Sequence, residues 1–161
     1  MTKIVGATDT KYITVTPVLT VAAAYASGDY IGTSASCMTF SNAVDKVGSS
    51  GRVTGCLLVD AALQSLAGEL WLFDTVLTPP ADSAAWTMTD AVAATCIGVI
   101  PLPAASYYAS AVNSVCKGVP AAPLAFVCGS TSKDLFGVFV TRDAPAYASG
   151  DLTFRLSIIQ D

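Results

Sequence analysis

Turn-forming residues interrupt this chain so often that no long helix fits between them. Short runs of β-branched and aromatic residues alternate with clusters of glycine, proline, serine and aspartate. Short strands separated by turns, at a spacing of roughly 8–12 residues, indicate a β-sandwich or a barrel. We therefore expect an all-β, jelly-roll-like β-sandwich of about eight to ten short strands, because eight strands in two sheets is the usual jelly-roll number.

The clearest strand patterns lie in the middle and at the end of the chain. Strands are predicted at residues 52–60, 123–128, 135–142 and 152–160. In the last of these, Phe154, Leu156 and Ile158 share one face, as the two-residue period of a strand requires. One short helix is also predicted, because Thr89 can act as an N-cap and Gly98 follows soon afterwards.

The length of 161 residues corresponds to one domain. Residues 1–10 are small, polar and weakly periodic, and we interpret them as an N-terminal arm. Residues 11–161 then form a single β-sandwich domain, which is large enough to fold without a disulfide or a metal. The arm either adds a strand to a neighbouring molecule or is a disordered tail.

One hexapeptide, AYASGD, occurs twice, at residues 24–29 and 146–151. Glycine permits the positive φ of a tight turn, and aspartate accepts a hydrogen bond from its own turn. The repeat predicts one turn used twice, or two matching corners of a sandwich whose first and last strands are adjacent. A third interpretation is a ligand site that combines Asp29 and Asp151.

The composition removes most of the usual catalytic side chains. Histidine is absent, and glutamate occurs once, at Glu69. Serine–histidine and cysteine–histidine nucleophiles and imidazole metal sites are therefore excluded. We predict no catalytic, cofactor-binding or metal-binding residues, and we do not expect an enzyme. A net charge of −4 also argues against a nucleic-acid partner, which would need a basic face.

The five cysteines include no CxxC pair and lie in apolar or small surroundings, so we expect buried thiols that pack as small hydrophobes. The chain starts without a continuous apolar segment, which predicts no secretory signal and folding in a reducing cytoplasm. No apolar run approaches the ~20 residues of a membrane-spanning helix, so no membrane partner is expected.

The chain is more apolar than a single domain needs, with 53% hydrophobic and 12% charged residues. Contacts with other subunits would bury the excess. Residues 69–74 illustrate this, because Leu70 and Leu72 share one strand face while Trp71 and Phe73 share the other. A strand that is apolar on both faces is usually covered on both sides. We therefore expect a partner subunit against one face.

Several motifs, in this order, resemble those of small capsid decoration (cement) proteins of tailed bacteriophages. They are YASGDYIG at 25–32, GRVTGCLLVD at 51–60, LWLFD at 70–74, PPADSAAWTMTD at 79–90 and APAYASGD at 144–151. The resemblance implies a jelly-roll-like domain that binds the outside of an assembled capsid and bridges neighbouring capsomers. It further implies a homotrimer, the major capsid protein as partner, and a location on the virion surface after synthesis in the host cytoplasm.

Candidate interface residues follow from the arm and from the large aromatics. They are Lys3, Ile4, Val5, Trp71, Phe73, Trp86, Tyr107 and Tyr108. Tryptophan and tyrosine are favoured interface anchors, although each aromatic here could equally belong to the core.

Two other functions remain open. A receptor- or glycan-binding module of a phage tail or fibre would use Trp86 as a platform beside Asp82 and Asp90. A glycosidase would need a carboxylate pair, for which the same two aspartates are the nearby candidates.

Overall fold

The computed structural model describes residues 9–19, 23–33 and 36–161. Its strands are β1 Asp9–Val15, β2 Ala23–Ala24, β3 Tyr30–Ile31, β4 Met38–Phe40, β5 Ser50–Asp60, β6 Gly68–Phe73, β7 Cys96–Leu102, β8 Tyr107–Ala109, β9 Ser114–Gly118, β10 Leu124–Val127, β11 Leu135–Thr141, β12 Ala146–Tyr147 and β13 Leu152–Gln160. A short helix, α1, spans Asp90–Ala93, and a 3₁₀ turn spans Ala104–Ser106. The all-β prediction is confirmed.

Two sheets form the sandwich. The six-stranded sheet has the order β1-β13-β5-β9-β8, and β10 pairs with β5 next to β9. The five-stranded sheet has the order β3-β11-β6-β7, and β4 also pairs with β11. All of these pairs are antiparallel.

The strand order is that of a jelly roll. Strands β3 and β4 pair with successive parts of β11, and β9 and β10 with successive parts of β5, so each couple fills one position. Apart from β8, an extra edge strand, the two sheets have eight strand positions, which along the chain are β1, β3/β4, β5, β6, β7, β9/β10, β11 and β13. Numbered 1 to 8, these positions lie in the order 1-8-3-6 in the six-stranded sheet and 2-7-4-5 in the five-stranded sheet. This is the double Greek key of a jelly roll. The described residues form thirteen strands, more than predicted, because two positions are divided and the very short β2, β8 and β12 are added.

The main core lies between the sheets. On β13, Phe154, Leu156 and Ile158 are fully buried, as the sequence predicts. The Phe154 ring meets that of Phe139 on the opposite sheet, edge to face, with centroids 4.9 Å apart. Every residue of β11 is buried, because this strand is central and is covered on both faces.

The two AYASGD copies form the same turn, and they pair with each other. Asp29 accepts a bond from the Ala26 amide at 2.7 Å, and Asp151 accepts the equivalent bond from Ala148 at 2.6 Å. The strands that lead into the two turns, β2 and β12, pair with each other and form a two-stranded antiparallel sheet. Because β1 also pairs with β13, the predicted corners and the adjacency of first and last strands are confirmed.

Other local predictions are also confirmed. The Val92 amide donates to Thr89 Oγ1 at 3.3 Å, so Thr89 is the N-cap of α1. Residues 107–118, for which the sequence pattern is weak, form a hairpin of β8 and β9. Among the residues described, none of the helices has the length and apolar character needed to cross a bilayer.

Candidate interaction surfaces

The outer face of β6 is covered by the chain itself, which corrects the expectation of a partner subunit there. Phe73 is completely buried, and Trp71 is partly buried. Trp86, from the long loop between β6 and β7, lies over both, with ring centroids 6.3 Å from each. We call this second cluster the outer core; its buried members are Tyr30, Cys37, Phe73, Leu77, Phe136, Val138 and Val140.

Backbone hydrogen bonds tie the covering loop to β3. The Tyr30 amide donates to the Ala84 carbonyl at 2.9 Å, and the Ser83 amide donates back to the Tyr30 carbonyl at 3.0 Å. The Trp86 amide donates to the Gly28 carbonyl at 2.9 Å. The loop is thereby fixed against the five-stranded sheet, and Phe73 beneath it is unavailable to a partner.

Asp82 is part of this attachment. Its Oδ1 accepts bonds from the Tyr25 hydroxyl at 2.9 Å and from the Gly32 amide at 3.2 Å. Burial, together with the Asp82 carboxylate, raises the pKa of Tyr25 well above its usual range. Asp90, by contrast, is exposed in the first turn of α1. The two aspartates that were candidate sugar or catalytic ligands therefore lie in very different surroundings.

Trp86 does not present an open ring as a sugar platform would. The rings of Trp71, Phe73 and Tyr30 surround it, the last with its centroid 6.5 Å away. Its indole nitrogen is buried and has no hydrogen-bond partner within the described residues. The tryptophan therefore packs as part of the outer core.

The two adjacent tyrosines have opposite orientations. Tyr107 points inward and packs against the main core, and burial raises the pKa of its hydroxyl far above normal. Tyr108 points outward and is 79% exposed. Tyr108 is therefore the interface candidate on a described strand that remains fully accessible, whereas Lys3, Ile4 and Val5 lie outside the described residues.

Two exposed valines lie on the same hairpin as Tyr108. Val112, at the tip of the β8–β9 hairpin, is 72% exposed, and Val119, directly after β9, is 53% exposed. Strand β8 pairs only with β9, so its other backbone edge is free within the described structure. We call Tyr108, Val112 and Val119 the hairpin edge. Sequence analysis missed the two valines because single valines in turn regions carry no periodic signal.

The five cysteines are free, and all except the partly buried Cys96 are buried, as predicted. Burial raises the pKa of Cys56 to about 12 and that of Cys128 to about 11. Such thiols are protonated near neutral pH and are poor nucleophiles. Within the part of the chain that the structure describes, no cluster of cysteine and carboxylate side chains could hold a metal ion.

Asp60 is a buried polar residue that sequence analysis did not single out. It accepts bonds from the amides of Ala62 at 3.0 Å and Ser65 at 2.6 Å, and so shapes the loop after β5. Leu63 and Ser65 in this loop have positive φ, which the carboxylate helps to stabilise. An aspartate at the end of a strong strand was the available signal for such a turn.

Comparison with protein-family models, with curated proteins and with solved structures finds no match to this chain.

Proposed function

We propose that this chain is a structural virion protein that decorates and cements the outside of a tailed-phage capsid by bridging neighbouring capsomers. In this role it forms a homotrimer and binds the major capsid protein of the shell. The proposal draws on the motif resemblance and on the jelly-roll order, which capsid and lectin domains also use. Because one fold can serve many functions, the proposal depends on the residues exposed at the surface of this chain.

The hairpin edge is the observation that carries the proposal. It places an exposed tyrosine and two exposed valines on a hairpin whose outer strand has a free backbone edge within the described structure. Unpaired edges are normally blocked by charges or by proline, and here the outward side chain of the edge strand is Tyr108. An apolar edge of this kind suits contact with another copy of the chain.

The expected energetics favour repeated contacts. Burying a valine or a larger apolar side chain contributes roughly 1.5–3 kcal/mol. Association costs an estimated 4–15 kcal/mol in lost freedom, so one hairpin edge alone gives weak binding. A closed ring of three copies buries the edge three times, and attachment to a shell adds further contacts.

The oligomeric state in solution tests the first part of the proposal. We expect a trimer by size-exclusion chromatography with light scattering, and weakened association when Tyr108→Ser and Val112→Ser are combined. Val76→Ser is the matched control, because Val76 is 66% exposed but lies in the loop over the outer core. Both sites are exposed, so the variants should remain folded.

Binding to particles tests the second part. The chain should co-purify with intact virions at a fixed stoichiometry and should sediment with heads from which it has been removed. It should not bind the unassembled shell protein. A protein that is monomeric and has no affinity for such heads would contradict the proposal.

A further inference from the structure

Among the described residues, the outward face of the six-stranded sheet is partly exposed and has an unusual charge distribution. Residues on its strands alternate between the main core and this face, as the burial of β13 and β5 shows. Three cations, Arg52, Lys117 and Arg155, lie on it, out of eight lysines and arginines in the chain. None of the outward-facing strand residues that the structure describes is a carboxylate, although the chain has a net charge of −4.

Two of these cations have no acidic partner among the residues that the structure describes. In the described part of the chain, the ion pairs join Arg52 to Asp161 at 3.7 Å and Arg142 to Glu69 at 2.6 Å. Lys117 and Arg155 therefore face outward unpaired. They flank Leu57 from opposite sides in the strand register, which places their backbones roughly 10 Å apart, or two strand spacings.

A depression of about 400 Å³ lies between these side chains. It results from a register shift in β5, where Ser157 pairs with Gly55 and the next residue of β13 pairs with Val53. The extra residue, Thr54, interrupts the regular face, and the neighbouring position is a glycine without a side chain. A bulge next to a glycine thus opens a cavity in a surface that would otherwise be flat.

The polar groups around the depression are held in place. The Arg155 guanidinium lies over the Tyr12 ring, 4.2 Å from its centroid. Thr54 Oγ1 and Ser157 Oγ are hydrogen-bonded at 2.9 Å. Stacking on an aromatic ring leaves the edge of a guanidinium free to donate two parallel hydrogen bonds.

We propose that this depression binds an aspartate or glutamate side chain presented by an acidic protein surface. Arg155 donates to the carboxylate, and Lys117 adds a second positive charge from the other side. The inference rests on the proposed function, under which that acidic surface belongs to the shell protein. This partner requires charge complementarity. It is provided by the unpaired cations, by the guanidinium fixed on Tyr12, and by the lack of carboxylates among the outward-facing strand residues that the structure describes.

Other anionic ligands fit less well. Nucleic-acid binding depends on many phosphate contacts, and this acidic chain offers three cations on the face. Sugar recognition uses a bare aromatic face, whereas Arg155 already covers one side of Tyr12.

The direct test is an NMR titration of the ¹⁵N-labelled chain with a blocked hexaglutamate peptide. We expect shifts of the amides of Gly55, Lys117 and Ser157, and binding that weakens as salt rises. Lys117→Gln and Arg155→Gln should each raise the dissociation constant about fivefold, the upper range for one exposed ion pair. Lys46→Gln is the control, since it removes an exposed charge in the loop before β5.

Several results would overturn the inference. Shifts elsewhere on the molecule, or an equal effect of Lys46→Gln, would show that the peptide is attracted by general charge. Tighter binding at the same amides by sialyllactose or by a single-stranded oligonucleotide would assign the depression to another class of ligand. A change in oligomeric state in Lys117→Gln or Arg155→Gln would assign this face to contacts between copies.

Sedimentation with heads separates this inference from the proposed function. If the wild type and both charge variants bind heads equally, decoration stands and the depression is not the contact. If hexaglutamate binds the depression but the chain does not bind heads, the site stands and the decoration role is wrong.

Discussion

Alanine in place of Gly28 or Gly150 isolates the conformational strain of the paired turns. Gly28 has φ 97° and Gly150 has φ 95°, in a region that residues with a side chain rarely adopt. Among the described residues, a Cβ atom at Gly150 would meet nothing within 4 Å, and one at Gly28 would meet only the tip of Arg142, 4.0 Å away. Any loss of stability therefore comes from the backbone and not from a collision.

The expected magnitude follows from two opposing effects. A left-handed backbone costs a non-glycine residue roughly 1–2 kcal/mol. Alanine also restricts the unfolded chain, which offsets about 0.4–1 kcal/mol of that loss. We expect each variant to lower the free energy of unfolding by about 1 kcal/mol, and both to do so equally, since the two turns have the same geometry.

Urea unfolding followed by tryptophan fluorescence measures the effect. With a slope of about 2 kcal/mol per molar urea, each midpoint should fall by about 0.5 M. Gly129→Ala is the control, because Gly129 lacks a left-handed φ and its added Cβ would lie 3.9 Å from Ser132 Cβ. That variant should be neutral or slightly more stable. Midpoints for Gly28→Ala and Gly150→Ala equal to that of Gly129→Ala would refute the reasoning.

Three further predictions concern the outer core, the thiols and the surface ion pair. Trp86→Ala should lower the free energy of unfolding by about 2–3 kcal/mol in urea and expose dye-binding surface, since a half-buried ring is lost; an unchanged midpoint would mean that the loop does not depend on the ring. Burial raises the pKa of the Cys56 thiol to about 12, so this thiol should not react with Ellman's reagent at about pH 8 until the chain unfolds. The free energy of unfolding should decline as pH rises above 9.0, the ordinary pKa of a cysteine, because the thiol ionises first in the unfolded chain. Glu69→Gln should lower the free energy of unfolding by at most about 1 kcal/mol, and should leave it unchanged in about 1 M salt. The Arg142 hydrogen bond lowers the pKa of Glu69, so the ion pair should stabilise the fold less as pH falls through that lowered pKa.

Local patterns were sufficient to predict much of the fold. Alternation identified β13 and its inward residues because that strand lies between two others with one face on the core. Thr89 was identifiable because an N-cap needs only a side-chain oxygen three residues before an amide. The repeated hexapeptide predicted a repeated turn because glycine and aspartate act within the turn itself.

Features that depend on distant contacts were not predictable in the same way. Trp71 and Phe73 indicated that something covers the outer face of β6, but Trp86 comes from an irregular loop without periodicity. The sequence did not show which of Tyr107 and Tyr108 points outward, because this depends on how β8 pairs with β9. The depression at Gly55 depends on a register shift, which becomes visible only when β5 and β13 are paired.

The position of β13 constrains how the protein can be made. This strand separates β1 from β5, so the first strand has no neighbour in its sheet until residues 152–160 have left the ribosome. Neither β1 nor β5 is fully paired in a nascent chain, and their exposed edges are then open to mispairing. Folding of this sheet should therefore wait until residues 152–160 have been made, and a premature stop before β13 should give an aggregating fragment rather than a smaller domain.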